Sequence, residues 1–410
     1  MLLVLATHSL DLMVLSGLHI KATMKSFNCR VRYRHILCVC LLSGLWPGSQ
    51  LLHAQTNDSI QVTALLKSEM QSRHIPGLQL VVIRHGRIVL AEEQGLASLE
   101  FKVPVRSGTL FSINSIAKVF AGTAVMQLVE QGKLKLDAPI ADYLDDLPAA
   151  WRPVTVRQVL SHTSGLPDIE DDLTDGLVGH MGEGTAWRVV KTLLLTATPG
   201  EKFNYIATNY LLVQRIIERL TREPFEDFII RTQWQPCGLR KTIYGNSDDV
   251  VDEKSPTYSY YHLDRDKGER MKTSSLHQVN EQFTVSFRAD AGVFSTATEM
   301  ARWMLALMNG KLLKAENIKT MWTPVKLNNG KYDGFDAPYN AYGLGWPVAN
   351  RKLHPAVASI GGGRAVVLHY PNDDLSVILL TNLTGCSPEM IAGKIAAVYL
   401  NDQKETAGNF

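Results

Sequence analysis

Ser115 and Lys118 lie three residues apart in FSINSIAKVF, an otherwise apolar segment that covers residues 111–120. In a helix their side chains share one face, one turn apart. A serine hydroxyl becomes a good nucleophile when a neighbour removes its proton, and a lysine amine does so when burial or nearby positive charge disfavours the ammonium. The alternative is a capping serine beside a lysine that extends to solvent. The pair is therefore a candidate nucleophile and base.

The elements around this pair predict the fold class. The helix that carries Ser115 and Lys118 extends to about Gly132 and is mostly apolar, which predicts that it is buried. Residues 77–95 read as a β-hairpin, and the strand-like AVVLHYP and LSVILLTN precede a closing helix from Pro388 to about Leu400. Strands at both ends of the chain predict an α+β fold, in which one antiparallel sheet is flanked by helices. A mostly helical lobe is inserted at about 133–290, and the cleft between the lobes is the expected ligand site.

The N-terminal region predicts export. A basic leader from Met24 precedes the apolar segment 36–46, and LLHAQ places the small Ala54 directly before Gln55 as a cleavage point. We therefore predict a signal peptide over 1–54, with Met24 a possible true start, and a mature domain over 55–410 that is periplasmic or secreted. The apolar segment is too short to span a bilayer, although a membrane anchor is the alternative. A helix capped by Asp58 or Ser59 is expected next.

Charge and cysteine content exclude several classes of function. The whole chain has a formal net charge of +2, and the part after residue 54 has 37 basic and 39 acidic side chains, so no nucleic-acid partner is expected. The two cysteines that follow the signal segment, Cys237 and Cys386, form no CxxC, and their pairing stays open. No HExxH or nucleotide- or flavin-binding motif is present, so neither a metal nor another cofactor is expected. The oligomeric state is undetermined.

A set of further segments surrounds the SxxK pair in a characteristic order. They include VTVRQVLSHTSGLP, PGEKFNYIATNYLLVQRIIE, AGVFSTATEMARWMLALMNG, AYGLGWPV and LSVILLTN. In this order, the sequence resembles the serine hydrolases of the β-lactamase and penicillin-binding-protein superfamily over roughly residues 60–400. The resemblance is strongest to the class C β-lactamase-like branch, which also contains family VIII carboxylesterases and D-aminopeptidases.

The resemblance assigns roles to the first two motifs. It implies that Ser115 is the nucleophile and that Lys118 shares the role of base with Tyr205, whose phenolate the ammonium would favour. The family's Tyr-x-Asn motif corresponds here to Tyr205-Ile206-Ala207, so that Ala207 replaces an amide that holds the lysine and the substrate. Asn209, two residues later, would point the same way in an extended segment but too far along the chain.

The third motif departs further from the family pattern. Ser359-Ile360-Gly361-Gly362 stands where the family has Lys-Thr-Gly or His-x-Gly, so the basic first residue is lost. The resemblance implies that the backbone N–H groups of Ser115 and Gly362 form an oxyanion hole, with Ser359 and Gly361 beside the substrate. The KTS sequence at 272–274 precedes the segments that should come before this motif, so we regard it as unrelated. Nothing fixes His354 in the site.

Other residues have two interpretations each. Arg364 either binds an acidic substrate group or forms a surface salt bridge. His162 more plausibly braces its loop than reacts. Tyr342 and Trp346 are expected to pack around the cleft, with Tyr342 able to line it. The acidic segment 168–186 either covers the site or is a solvated connector.

These departures favour esters. Ser359 and Ala207 remove the charged group and the amide that would hold a β-lactam or peptide carboxylate, whereas an ester needs only a nucleophile, a base and an oxyanion hole. We therefore expect an exported serine hydrolase that acts through an acyl-serine on esters or small amides. A catalytically weak protein that binds peptidoglycan or peptides, and a low-efficiency β-lactamase or D-amino-acid peptidase, are the alternatives.

Overall fold

The computed structural model describes residues 47–171, 176–180, 182–264 and 269–400. Most of the predicted signal peptide therefore lies outside the described residues. The predicted cleavage point between Ala54 and Gln55 falls within a helix, α1, which spans Pro47–Arg73. That helix begins well before the cap predicted at Asp58 or Ser59, so the predicted cap is wrong. No helix in the described part of the chain is long and apolar enough to cross a membrane.

An eight-stranded antiparallel sheet forms the centre of the fold, in the order β11-β12-β13-β14-β15-β1-β2-β3. Its strands are β1 (Gly77–Arg84), β2 (Arg87–Ser98), β3 (Val103–Pro104), β11 (Ala341–Tyr342), β12 (Pro347–Ala349), β13 (Ala356–Gly361), β14 (Ala365–Tyr370) and β15 (Leu375–Thr381). The first strand of the chain pairs with the last, from Leu78 opposite Thr381 to Arg84 opposite Leu375. The predicted meeting of the two ends of the chain in one sheet is confirmed.

Helices cover both faces of this sheet, so β1 is buried along almost its whole length. Its side chains alternate between two apolar clusters: Val81 and Ile83 belong to one, and Leu80 and Val82 to the other. The helices in the described residues are α1, α2 (Ala117–Glu130), α3 (Val156–Leu160), α4 (Glu183–Val190), α5 (Ala207–Thr221), α6 (Phe225–Ile229), α7 (Gln235–Cys237), α8 (Ala297–Met308), α9 (Ala315–Trp322) and α10 (Pro388–Leu400).

A small three-stranded sheet supports the segment that carries Ser115. It consists of β4 (Phe111–Ser112), β10 (Val293–Ser295) and β7 (Ile243–Tyr244), with β10 in the centre. Phe294 pairs with Ser112, and the N–H of Ile113 donates to the carbonyl of Val293 at 2.9 Å. The chain just before β10 is thereby held beside the chain just before Ser115.

The predicted helical lobe contains α3 to α7 but also strands. A short hairpin joins β5 (Glu170–Asp171) to β6 (Gly176–Leu177), and a long one joins β8 (Thr257–Asp264) to β9 (Glu269–Val279). The KTS sequence at 272–274 lies in β9, in a stretch of mostly exposed side chains. The Cys237 and Cys386 thiols are both free.

Candidate active site

Ser115 and Lys118 are held by two different helical turns. Ser115 lies in a single 3₁₀ turn, Asn114–Ile116, and Lys118 is the second residue of α2, which follows directly. The Nζ atom of Lys118 lies 3.1 Å from the Oγ atom of Ser115. Asn114 adopts φ +44°, a left-handed conformation that asparagine tolerates better than most residues. The sharp turn before α2 thus brings the hydroxyl against the amine.

The Lys118 ammonium is buried and ion-paired with Asp290. Only 2% of the Lys118 side chain is exposed, and Nζ lies 2.7 Å from Oδ1 of Asp290. The same nitrogen donates to the backbone carbonyl of Asp290 at 3.2 Å. The ring centroids of Tyr205 and Tyr210 lie 4.7 Å and 5.3 Å from it. Asp290 was not among the site residues predicted from the sequence, although it is a lone acid in the stretch ADAGVFS, whose residues are otherwise small or apolar.

Tyr205 lies just before α5 and lines the same cavity as Ser115. Burial, together with the negative charge of Asp290, raises the pKa of Tyr205 well above 10. The resting side chain is therefore a neutral phenol. The expectation that the ammonium favours a phenolate is wrong, because burial disfavours the charged form and Asp290 adds a negative charge.

His162 braces this arrangement, as expected. Its ring lies between those of Tyr205 and Tyr210, with centroid distances of 4.3 Å and 5.2 Å. Its Nδ1 accepts the backbone N–H of Ile206 at 3.2 Å and lies 3.1 Å from Nδ2 of Asn209. Complete burial, with a smaller contribution from Lys118, lowers the pKa of His162 well below 6.5, so the imidazole is neutral.

Ala207 and Asn209 do not line the cavity. Ala207 is the first residue of α5, is buried, and does not line the cavity at Ser115. Its N–H donates to Oδ1 of Asp168 at 3.0 Å. Asn209 lies in the helix and not in an extended segment, and its Oδ1 accepts a hydrogen bond from Ser164 at 2.7 Å. Both residues serve the packing of α5 rather than substrate.

The third motif lies at the end of β13, beside the nucleophile. Ser359 and Gly362 line the cavity, as predicted, whereas Gly361 does not. A Cβ atom at Gly361 would collide with the carbonyl oxygen of Ile113, so its glycine permits close contact between β13 and the Ser115 turn. Gly362 follows with φ +55°. The prediction that Gly361 contacts substrate is therefore replaced by a packing role.

Arg364 forms a salt bridge, which was one of the two roles considered, but the salt bridge is buried and does not lie at the surface. Only 1% of its side chain is exposed, and it does not line the cavity. Its Nη2 donates to Oγ of Ser112 at 2.8 Å and to Glu281 at 2.6 Å, and its Nε donates to the Ser112 carbonyl at 3.2 Å. Glu281 in turn accepts a hydrogen bond from Nδ2 of Asn114 at 3.1 Å. Arg364 thus ties the glycine turn after β13 to the chain before Ser115.

A cavity of about 500 Å³ opens above these groups. This volume is in the range of small-molecule sites. Tyr342 lines it, as considered, whereas Trp346 is fully buried and packs against Trp303. Lys118 is the single cation among its described lining residues, whereas Asp336 and Glu389 are acidic. Burial raises the pKa of the Glu389 carboxyl.

The acidic segment 168–186 lies beside the site rather than over the cavity. None of its described residues lines the cavity. Asp168 accepts the N–H groups of Ala207 and Glu170, and burial raises the pKa of its carboxyl to about 6. His354 is held elsewhere, with Nδ1 at 2.9 Å from Asp373. Among the described residues, no group of three or more His, Cys, Asp or Glu side chains is placed to hold a metal ion.

The chain is similar in sequence to curated proteins. Protein flp of Staphylococcus aureus strain COL is 23% identical over 346 residues, which are 80% of this chain and 64% of that protein. The chain thus spans less than two thirds of the length of that relative.

Two solved structures share the fold. EstCE1, described as a hydrolase with promiscuous acyltransferase activity, superimposes with a TM-score of 0.68 at 22% identity, over 84% of this chain and 99% of that one. The D-amino acid amidase of Ochrobactrum anthropi gives a TM-score of 0.69 at 20% identity, over 85% and 99%. The family model described as Beta-lactamase matches residues 62–399. This chain therefore belongs to the beta-lactamase family.

Proposed function

We propose that this chain is an exported serine hydrolase that forms an acyl intermediate on Ser115 from esters or small amides. The observation that carries the proposal is the contact of 3.1 Å between Nζ of Lys118 and Oγ of Ser115. This contact lies in the lining of a cavity large enough for a small substrate. A serine and a lysine in contact at a cavity wall, with Tyr205 in the same lining, are the parts that acyl transfer requires.

Acylation begins when the hydroxyl of Ser115 loses its proton. Lys118 accepts that proton in its amine form as Oγ attacks the carbonyl carbon of the substrate. The backbone N–H groups of Ser115 and Gly362 then bind the oxyanion of the tetrahedral intermediate. When the intermediate collapses, the bond to the alcohol or amine breaks, and the Tyr205 hydroxyl relays the proton from Lys118 to the leaving group.

Deacylation repeats the same steps with water. Lys118 accepts a proton from the water molecule as its oxygen attacks the acyl carbon. Collapse of the second intermediate breaks the ester bond to Ser115 and returns a proton to Oγ. The product carboxylic acid leaves, and the site regains its starting protonation state.

The charges around the cavity favour neutral acyl groups over anionic ones. Among the described lining residues, Lys118 is the single cation, and Asp290 already neutralises it. Ser359 offers a hydroxyl where a β-lactam or peptide carboxylate would need a positive charge. Asp336 and Glu389 add acidic groups to the lining. The esterase-like EstCE1 and the amidase that share this fold are consistent with such substrates.

Export is proposed on the sequence of the leader. The basic residues after Met24, the apolar segment 36–46 and Ala54 before Gln55 fit a cleaved secretion signal. The N-terminal sequence of the mature protein from a periplasmic or culture-medium fraction tests this, and a protein that retains residues 24–54 in the cytoplasm contradicts it.

Labelling with a fluorophosphonate probe and turnover of p-nitrophenyl acetate and butyrate test the activity. Wild-type protein should form a covalent adduct at Ser115 and hydrolyse both esters, and Ser115→Ala should abolish both signals. Ser164→Ala serves as a matched control, because Ser164 is a buried hydroxyl outside the cavity lining.

The same assay separates the alternatives. Absence of any Ser115-dependent adduct or turnover leaves the peptidoglycan- or peptide-binding protein, which tritiated or fluorescent muropeptides would then detect. Nitrocefin hydrolysis at a rate similar to that of the esters identifies a β-lactamase instead. Release of D-amino acids from their amides identifies a peptidase or amidase.

A further inference from the structure

Asp290 contacts the side chain of Lys118 more closely than Ser115 does. The distance from Nζ of Lys118 to Oδ1 of Asp290 is 2.7 Å, against 3.1 Å to Oγ of Ser115. The backbone carbonyl of Asp290 also accepts a hydrogen bond from the same nitrogen at 3.2 Å. No other carboxylate within the described residues forms a salt bridge with Lys118. Asp290 therefore contacts the ammonium through both its carboxylate and its backbone carbonyl.

The Asp290 backbone is itself fixed from two directions. Its N–H donates to the carbonyl of Phe287 at 2.9 Å, and the N–H of Ala289 donates to Oε1 of Gln214, in α5, at 3.1 Å. Three residues later the chain enters β10, which pairs with the strand before Ser115. The position of Asp290 is thus fixed relative to both the segment that carries Ser115 and α5, the helix that follows Tyr205.

We propose that Asp290 is a positioning residue that fixes the amine of Lys118 against Ser115. The inference rests on the proposed hydrolase function, and it adds a residue to that function.

The variants Asp290→Asn and Asp290→Glu test the proposal, with Glu226→Gln as a matched control. Glu226 forms an ion pair at 2.9 Å with Arg288, two residues before Asp290, and it does not line the cavity. Fluorophosphonate labelling and p-nitrophenyl ester turnover are measured from pH 5 to 10 for each variant.

Asp290→Asn should lower kcat at the optimum by about 10- to 100-fold, because the amine loses its fixed position, while KM changes little. Asp290→Glu keeps a carboxylate beside the amine and should recover part of kcat. Glu226→Gln should resemble the wild type in both kcat and KM. An Asp290→Asn protein whose kcat matches that of Glu226→Gln overturns the proposal.

A double-mutant cycle on stability tests the pair even if the wild type proves inactive. Breaking one member of a buried ion pair leaves an uncompensated charge, so Lys118→Met and Asp290→Asn should each lower the melting temperature by roughly 5 °C or more. The double variant should lose less than the sum of the two. Additive losses would show that the two side chains are not coupled and would contradict the inference. A wild type that forms no Ser115 adduct, beside strong coupling, would contradict the proposed function alone.

Discussion

The two sides of Ser115 are built from different parts of the protein. On the base side, the contacts are made by side chains. Lys118 is ion-paired with Asp290, hydrogen-bonded to Ser115 and in contact with the ring of Tyr205. On the side of the proposed oxyanion hole, the contacts are made by the backbone, because Gly361 allows β13 to contact the chain at Ile113 and Gly362 forms the turn that follows. Changes on the base side should therefore alter proton transfer, whereas changes on the oxyanion side should alter geometry and stability.

Tyr205→Phe should have the largest effect on the base side after changes to Ser115 and Lys118. Loss of the hydroxyl removes the proposed relay to the leaving group, which should lower kcat by about 10²–10⁴-fold. The melting temperature should change little, because the ring and its contact with His162 remain. Steady-state turnover of p-nitrophenyl butyrate measures the loss, and a fully active variant would remove Tyr205 from the mechanism.

On the oxyanion side, Gly361→Ala should show that geometry matters as much as chemistry. The added methyl group would collide with the carbonyl of Ile113 and push β13 away from the Ser115 turn. A displacement of about 1 Å in such a site lowers the rate by about 10²-fold.

Both the labelling rate and the unfolding midpoint of Gly361→Ala should fall. Gly184→Ala is the control, because a Cβ there, in α4, meets no atom within 4 Å. Equal behaviour of the two variants would show that the close contact at Gly361 is not needed.

Arg364→Met should affect stability more than rate. The change leaves the carboxylate of Glu281 without its partner and frees the glycine turn, so we expect a loss of about 3 kcal/mol in the free energy of unfolding and about a tenfold loss in kcat. Chemical denaturation and ester turnover measure the two effects. Adding Glu281→Gln should restore part of the stability, and a double variant as unstable as the sum of both changes would contradict this network.

The smallest expected effect concerns Asp168, whose carboxyl has a pKa of about 6 because it is buried. Between its ordinary pKa of 3.8 and 6, the folded protein retains a proton that the unfolded chain has released. Stability should therefore fall as the pH rises through this window, by roughly 1–3 kcal/mol, and Asp168→Asn should lack that slope.

Asp137 offers a control of opposite sign for this measurement. A hydrogen bond from Arg157 lowers the pKa of the Asp137 carboxyl, so its contribution to stability is present above pH 3.8 and is lost as the pH falls. Asp137→Asn should leave the slope between pH 4 and 6 in place. An Asp168→Asn protein with the same slope as the wild type would show that this carboxyl titrates normally.

Local patterns predicted the elements that carry the site. The apolar run around Lys118, the hairpin at His85-Gly86 and the strands near residue 370 each follow from periodicity or turn residues over a few positions. The spacing of Ser115 and Lys118 predicted their contact, because one helical turn fixes that distance. The environment of Arg364 could not be predicted from the sequence. Its partners Ser112 and Glu281 are far away in the chain, and its sequence neighbours give no indication of them.

What the sequence determined by itself is the pairing of a nucleophile with an amine, since three residues in a helical turn leave little freedom. What only the tertiary structure decided is the charge state around that pair. Asp290 lies 172 residues from Lys118, and it reaches the amine only because β10 pairs with β4. Burial then determines that Tyr205 is a phenol and His162 a neutral imidazole, since desolvation depends on every element packed around them.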